Sequence, residues 1–246
     1  VTMNTVLGGV LLGAGAYVNR ACVFGTIAKI GGRDWPYLAT PLGFLVGAWG
    51  VAMFQAPALS PVPKATSALA SLPAFAALVF LFFSVVRIYT TTRSTDSRWT
   101  ERIWAPHEAT VIIGIAFAIM FVAAGAWAYT DLLAEFAAGM SGDVLVRMLL
   151  LFGLLAGSMM AGGKEKAAGA AKFDPAAYVR SFIGGAAMGA GSLLIPGSND
   201  GLILVGMPLL YPYAWVGIGT MCLTIAFALV ASRLWARLSI GRHVAG

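Results

Sequence analysis

The chain has 246 residues, of which 59% are hydrophobic and 11% charged, against roughly 45–50% and 25% in soluble domains. So few charges cannot cover a water-soluble domain of this size, and the same figures exclude disorder, coiled coil, collagen and a disulfide-stapled module. The net charge of +6 would point to nucleic acid only with basic residues clustered on a soluble face, whereas here they sit between apolar segments.

A spanning helix takes about 20 mostly apolar residues. Apolar runs occupy residues 5–30, 36–56, 69–88, 108–129, 144–160, 181–211 and 213–234. The expected fold is an all-α polytopic membrane protein, one transmembrane domain over residues 1–246 with about seven crossings. The opening Val-Thr-Met-Asn has no charged region before the apolar run and does not read as a cleaved signal peptide. Asn19, Arg20 and Cys22 interrupt the first run, and Pro196, Gly197, Ser198, Asn199 and Asp200 the sixth. Polar residues with Pro and Gly in mid-span predict helices broken there, with the freed backbone turned toward protein or a wet cavity.

Orientation follows from Lys and Arg in the loops. The segments Arg87 to Arg102 and Lys164 to Arg180 and the tail with Arg233, Arg237 and Arg242 are basic, whereas the Tyr129 to Asp143 loop has only acidic charges. If every run crosses once, the N-terminus lies outside and the C-terminus in the cytoplasm. Re-entrant hairpins would put the arginine-rich C-terminus outside, which disfavours them. Trp35, Trp49, Trp99, Trp104, Trp127, Trp215 and Trp235 lie mainly near the proposed span ends, as interfacial belts do.

Gly8 to Gly43 aligns without a gap on Gly184 to Gly219 at an offset of 176, with ten identities in 36 positions, where composition alone would give about three. A duplication of units 5–56 and 181–234 follows, with the spans 69–88, 108–129 and 144–160 between them. The first copy starts outside and the second inside, so the repeat is inverted. Inverted repeats with broken helices meeting near the midplane mark transporters, and the paired breaks point to the path. The competing reading of the glycines is close helix packing.

The candidate path residues are therefore Asn19, Arg20 and Cys22 from one break and Ser198, Asn199 and Asp200 from the other. Polar groups this deep are expensive unless paired or wet. Ser198 aligns on Cys22. Arg20 and Asp200 carry opposite charges, and their approach near the midplane would fix the repeats or gate the path. Alternatively, Arg20 snorkels to an interface and Asp200 caps the following half-helix. Cys222, inside a continuous helix, reads as packing. His107 and Glu108 after Pro106 read as an interfacial helix start, with a proton relay as the minor alternative.

Enzyme motifs are nearly absent, so no enzyme is expected. Gly162-Gly163-Lys164 lacks the earlier glycine and the following Ser or Thr of a phosphate loop. Two histidines leave little for a metal site, and no cofactor is implied.

The stretch Gly-Gly-Val-Leu-Leu-Gly-Ala-Gly-Ala-Tyr-Val-Asn-Arg-Ala-Cys-Val-Phe-Gly-Thr-Ile from Gly8, with Tyr37-Leu38-Ala39-Thr40-Pro41-Leu42-Gly43, resembles the YeeE/YedE sulfur-transport family of bacterial inner-membrane proteins. Gly184 to Gly206 resembles that family's second glycine-rich motif. The resemblance implies uptake of thiosulfate or a related sulfur anion through an hourglass-shaped, pseudo-symmetric bundle, with cysteine thiols at the constriction. Cys22 would be such a thiol. Ser198 stands where a Gly-Cys-Asn type sequence is common.

The leading expectation is a permease for a small sulfur anion, most simply thiosulfate, in contact with the lipid bilayer and with no nucleic acid partner. An alternative is a membrane subunit docking a soluble cytoplasmic sulfur-carrier or redox partner through the Arg87 to Arg102 loop, which also serves as a topogenic signal. A third is a neutral-solute channel, insensitive to Cys22 and to membrane potential.

Overall fold

A computed structural model describes residues 1–55, 129–137, 144–162, 174–195 and 198–244, with isolated positions at 82, 86, 113, 114 and 116. The spans at 69–88 and 108–129, the Arg87 to Arg102 loop, and His107 with Glu108 fall outside the described residues, apart from those isolated positions and Tyr129. The chain divides into two compact units, Val1–Ala65 with Ala128–Gly246, and Thr66–Trp127. The continuous described helices all belong to the first unit.

All regular structure among the described residues is helical. Helix α1 runs Met3–Asn19, α2 Val23–Gly31, a 3-10 turn Trp35–Leu38, α3 Ala39–Gln55, α4 Tyr129–Ala137 and α5 Val144–Gly162. Helix α6 runs Pro175–Leu194, α7 Ser198–Gly201, a π-turn Leu202–Gly206 and α8 Pro212–Val244. Among the described residues three stretches are long and apolar enough to cross a membrane, Met3–Gly31, Trp35–Phe54 and Pro212–Trp235.

Several limits differ from the sequence expectation. Helix α6 begins at Pro175 rather than near 181, because Asp174 caps it by accepting from the Ala176 amide at 3.1 Å and Pro suits the first helical position. Helix α8 continues to Val244, past the apolar run that ends near 234. The expected loop from Tyr129 to Asp143 contains α4, whose Tyr129, Leu132 and Phe136 recur at helical spacing.

Glycines set how α1, α3, α6 and α8 pack. A methyl on Gly8 would stand 2.8 Å from the Gly191 carbonyl oxygen, and one on Gly15 2.7 Å from that of Gly184. Seven residues forward on α1 is seven back on α6, so the two helices run antiparallel with backbones in contact. Gly43 and Gly47 meet the Phe182 and Ala186 carbonyls, and Gly185 and Gly189 those of Thr40 and Phe44, so α3 runs parallel to α6. Gly9 and Gly13 meet the Gly217 and Met221 carbonyls at 2.8 and 2.7 Å, which makes α8 parallel to α1. Such small-residue contacts give membrane helices the close dispersion and backbone approach that lipid cannot match. Phe44, Leu12 and Met188 fill the buried centre of this layer. Large apolar side chains such as Leu145, Phe152, Leu223 and Phe227 remain on the outside, as a lipid-facing surface requires.

Candidate functional site

The site is built where α1 gives way to α2. Arg20 ends α1 in the left-handed region at φ 60, and its amide bonds back to the Tyr17 carbonyl at 3.2 Å. A non-glycine residue in that region stores strain and persists only where the surroundings dictate it. Here the dictating group is Asn19, fully buried. Its amide donates to the Ala21 carbonyl at 2.9 Å and to Thr26 Oγ1 at 3.1 Å, and its oxygen accepts from Thr40 Oγ1 at 3.0 Å. Thr26 in turn donates its hydroxyl to the Cys22 carbonyl at 3.1 Å, and its amide reaches the same oxygen at 2.9 Å. One amide thereby ties the end of α1, the connecting residues, α2 and α3, with both its donor hydrogens used.

Cys22 is the N-cap of α2, with extended backbone and no side-chain capping bond. Its thiol is free and half-buried. The polar chain below holds the Cys22 backbone and leaves the sulfur uncommitted. Helix α2 carries no acidic residue in its first turn, so the partial positive charge of its N-terminal amides lies beside the thiol uncompensated by its own helix.

The second connection, after Leu194, is held differently. Ile195 and Leu202 are buried apolar side chains, and a methyl on Gly217 would touch both, at 3.3 and 3.4 Å. Ser198 and Asn199 are the first two residues of α7, and their side chains lie outside the described residues. Asp200 is buried. Its carboxylate accepts from the Thr130 hydroxyl and amide and from the Gly201 amide at 3.2 Å. Helices α2 and α7 are in contact, and both α4 and α6 touch α7.

Tyr129 joins this centre. Its hydroxyl donates to the Val23 carbonyl at 2.7 Å, and its neighbour in the chain, Thr130, holds the Asp200 carboxylate. The structure thus brings Asn19 and Cys22 into one connected cluster, with Tyr129 linking it to Asp200. Arg20 is outside that cluster. Its side chain is exposed and makes no ion pair with Asp200, correcting the expected pairing; Asp200 draws its hydrogen bonds from Thr130 and Gly201 instead. Sequence reasoning passed over Tyr129, Thr130, Thr26 and Thr40. Tyr129 and Thr130 carried a signal, a hydroxyl pair closing an apolar run, whereas the two threonines at 26 and 40 carried none that distinguishes them from packing. Among the described residues no cluster of three or more metal-ligating side chains converges.

Apolar helices of spanning length, packed on glycine around a buried polar centre beside a free thiol, define a helical membrane protein. The chain matches the family model described as Sulphur transport over residues 1–227, and it belongs to that YeeE/YedE family of sulfur transporters. No curated protein and no solved structure is significantly similar to it.

Proposed function

We propose that the protein is a permease for a small sulfur anion, most simply thiosulfate, that passes beside Cys22 where α2 and α7 meet. The observation that carries the reading is the half-buried thiol at the start of α2, on a backbone immobilised by Asn19 and Thr26. Amide groups at a helix N-terminus attract an anion, and a polarizable sulfur replaces part of its hydration shell without demanding full desolvation. The reaction is transport, with no bond made or broken in the solute.

The inverted repeat belongs to the same proposal. Offset by 176, the end of α1 at Asn19 corresponds to Ile195, directly after α6, and Val23 at the start of α2 to Asn199 in α7. Antiparallel α1 and α6 and parallel pairs α1–α8 and α3–α6 are what an in-plane two-fold axis generates. The copies diverge at the π-turn, which holds one extra residue. Beyond it the left-handed residues Arg33 and Leu210, and the paired carbonyls of Thr40 and Gly217 and of Phe44 and Met221, correspond at an offset of 177. The identities Pro36/Pro212, Tyr37/Tyr213 and Gly43/Gly219 are therefore displaced by one structural position. Gly43 meets a carbonyl whereas Gly219 has open space, as that displacement requires.

In this arrangement α1 and α8 cross from outside to inside and α3 and α6 return, which puts the N-terminus outside and the C-terminus in the cytoplasm of a bacterial inner membrane. Expression in cells stripped of other thiosulfate uptake routes tests the substrate. Growth on thiosulfate as sole sulfur source is expected, and no growth with well-inserted protein would remove thiosulfate.

A further inference from the structure

We infer that Tyr129 and Thr130 are positioning residues that tie the two short helices together and so set the width of the passage beside Cys22. The inference rests on the reading of Cys22 as the thiol at the constriction. The two residues are adjacent on one backbone at the start of α4, yet they bind different helices. Tyr129 donates its hydroxyl to the Val23 carbonyl at 2.7 Å, one residue beyond Cys22. Thr130 donates its hydroxyl and its amide to the Asp200 carboxylate, two residues beyond Ser198.

All four groups are buried. Tyr129, Val23, Thr130 and Asp200 are each buried, so a broken bond there is poorly replaced by water and each is worth more than at a surface. A backbone carbonyl has two lone pairs, so Val23 accepts from Tyr129 without surrendering its place in the α2 ladder. The carboxylate is the stronger acceptor and anchors the other end. Because the two donors are neighbours on one chain, α2 and α7 cannot separate unless one of these bonds breaks. Neither donor lies in the repeated segments 5–56 and 181–234, so the tie comes from the connecting part of the chain, across the proposed two-fold. Asp200 is thereby an anchor for α4.

The test reads aperture directly through Cys22 in the full-length protein in membrane vesicles. Cys222→Ala serves as background, since that exposed thiol would also react. Rates of Cys22 modification are measured with a small methanethiosulfonate and with a bulky maleimide. Tyr129→Phe and Thr130→Val each delete one hydroxyl with little change of volume, and each is expected to raise the bulky-to-small rate ratio about tenfold, the equivalent of one buried hydrogen bond. Thr130→Ser restores the parent ratio. A ratio unmoved in both deletions, with both reagents changing in step, overturns the tie even if thermal stability falls. Should Thr130→Val fail to insert, Tyr129→Phe, lacking a single oxygen, decides alone. Thiosulfate uptake by the parent vesicles is recorded in parallel. A shifted ratio without uptake supports the tie and removes the thiosulfate reading, and uptake with an unmoved ratio does the reverse.

Discussion

The two places where a long apolar run is interrupted are held by opposite chemistry. After α1, the buried Asn19, Thr26 and Thr40 form a hydrogen-bonded set. After α6, Ile195, Leu202 and Gly217 pack as an apolar one. Hydrogen bonds are directional and fix where the Cys22 carbonyl points, whereas apolar packing fills space without fixing a dipole. The polar version holds the backbone of Cys22. The apolar version follows α6, and the buried Asp200 beyond it accepts from Thr130.

The largest effects that would break or sharpen this contrast lie in the backbone contacts on either side. Gly43 and Gly219 are identical residues aligned with one another, but only Gly43 faces a carbonyl, that of Phe182. Gly43→Leu is expected to destabilise by on the order of 3 kcal/mol through overpacking, read as loss of folded protein in a detergent melt. Gly219→Ala, in open space, should stabilise by up to about 1 kcal/mol through helix propensity. Gly43→Ala no more destabilising than Gly219→Ala would mean that the Phe182 carbonyl does not confine Gly43.

Next in size is an exchange of the two chemistries. Asn19→Ile strands Thr40 and removes the support of the Ala21 and Thr26 groups, with an expected loss of about 2 kcal/mol and faster, less selective thiol chemistry at Cys22. Ile195→Asn puts an amide where the described neighbours are apolar and should lose about as much, while leaving Cys22 reactivity unchanged. If Asn19→Ile left both stability and thiol kinetics intact, the polar set would have no special role.

Smaller still are the surface groups. Lys29 and Asp34 stand 3.9 Å apart, both partly exposed, and Lys29→Ala should shift stability by less than about 0.5 kcal/mol. Cys222→Ala on the outer face of α8 should fall within about 0.5 kcal/mol of the parent, with uptake unchanged.

How far these features were legible in the sequence depended on the distance over which their causes act. The helical class and the position of the apolar runs follow from local composition, and the ends of α1 and α6 fall among the polar, Pro and Gly residues of the interrupted stretches. The start of α6 was also local, since Asp174-Pro175 is a capping signal, though a purely apolar criterion passes over it. Asn19 is visible in the sequence as a misfit, but its partners Thr26 and Thr40 are seven and 21 residues away and only the fold brings them together. Arg20 and Asp200 looked like partners on charge alone. Burial of one and exposure of the other separate them, and Thr130 lies 70 residues from Asp200.

If the sulfur of Cys22 takes part in moving the anion, its removal must slow uptake. Initial uptake of radiolabelled thiosulfate into vesicles, compared between Cys222→Ala and Cys222→Ala with Cys22→Ala at equal levels of inserted protein, tests it most directly. At least about a tenfold loss is expected when Cys22 is removed, the equivalent of one lost favourable contact. Uptake undiminished without Cys22 would contradict it.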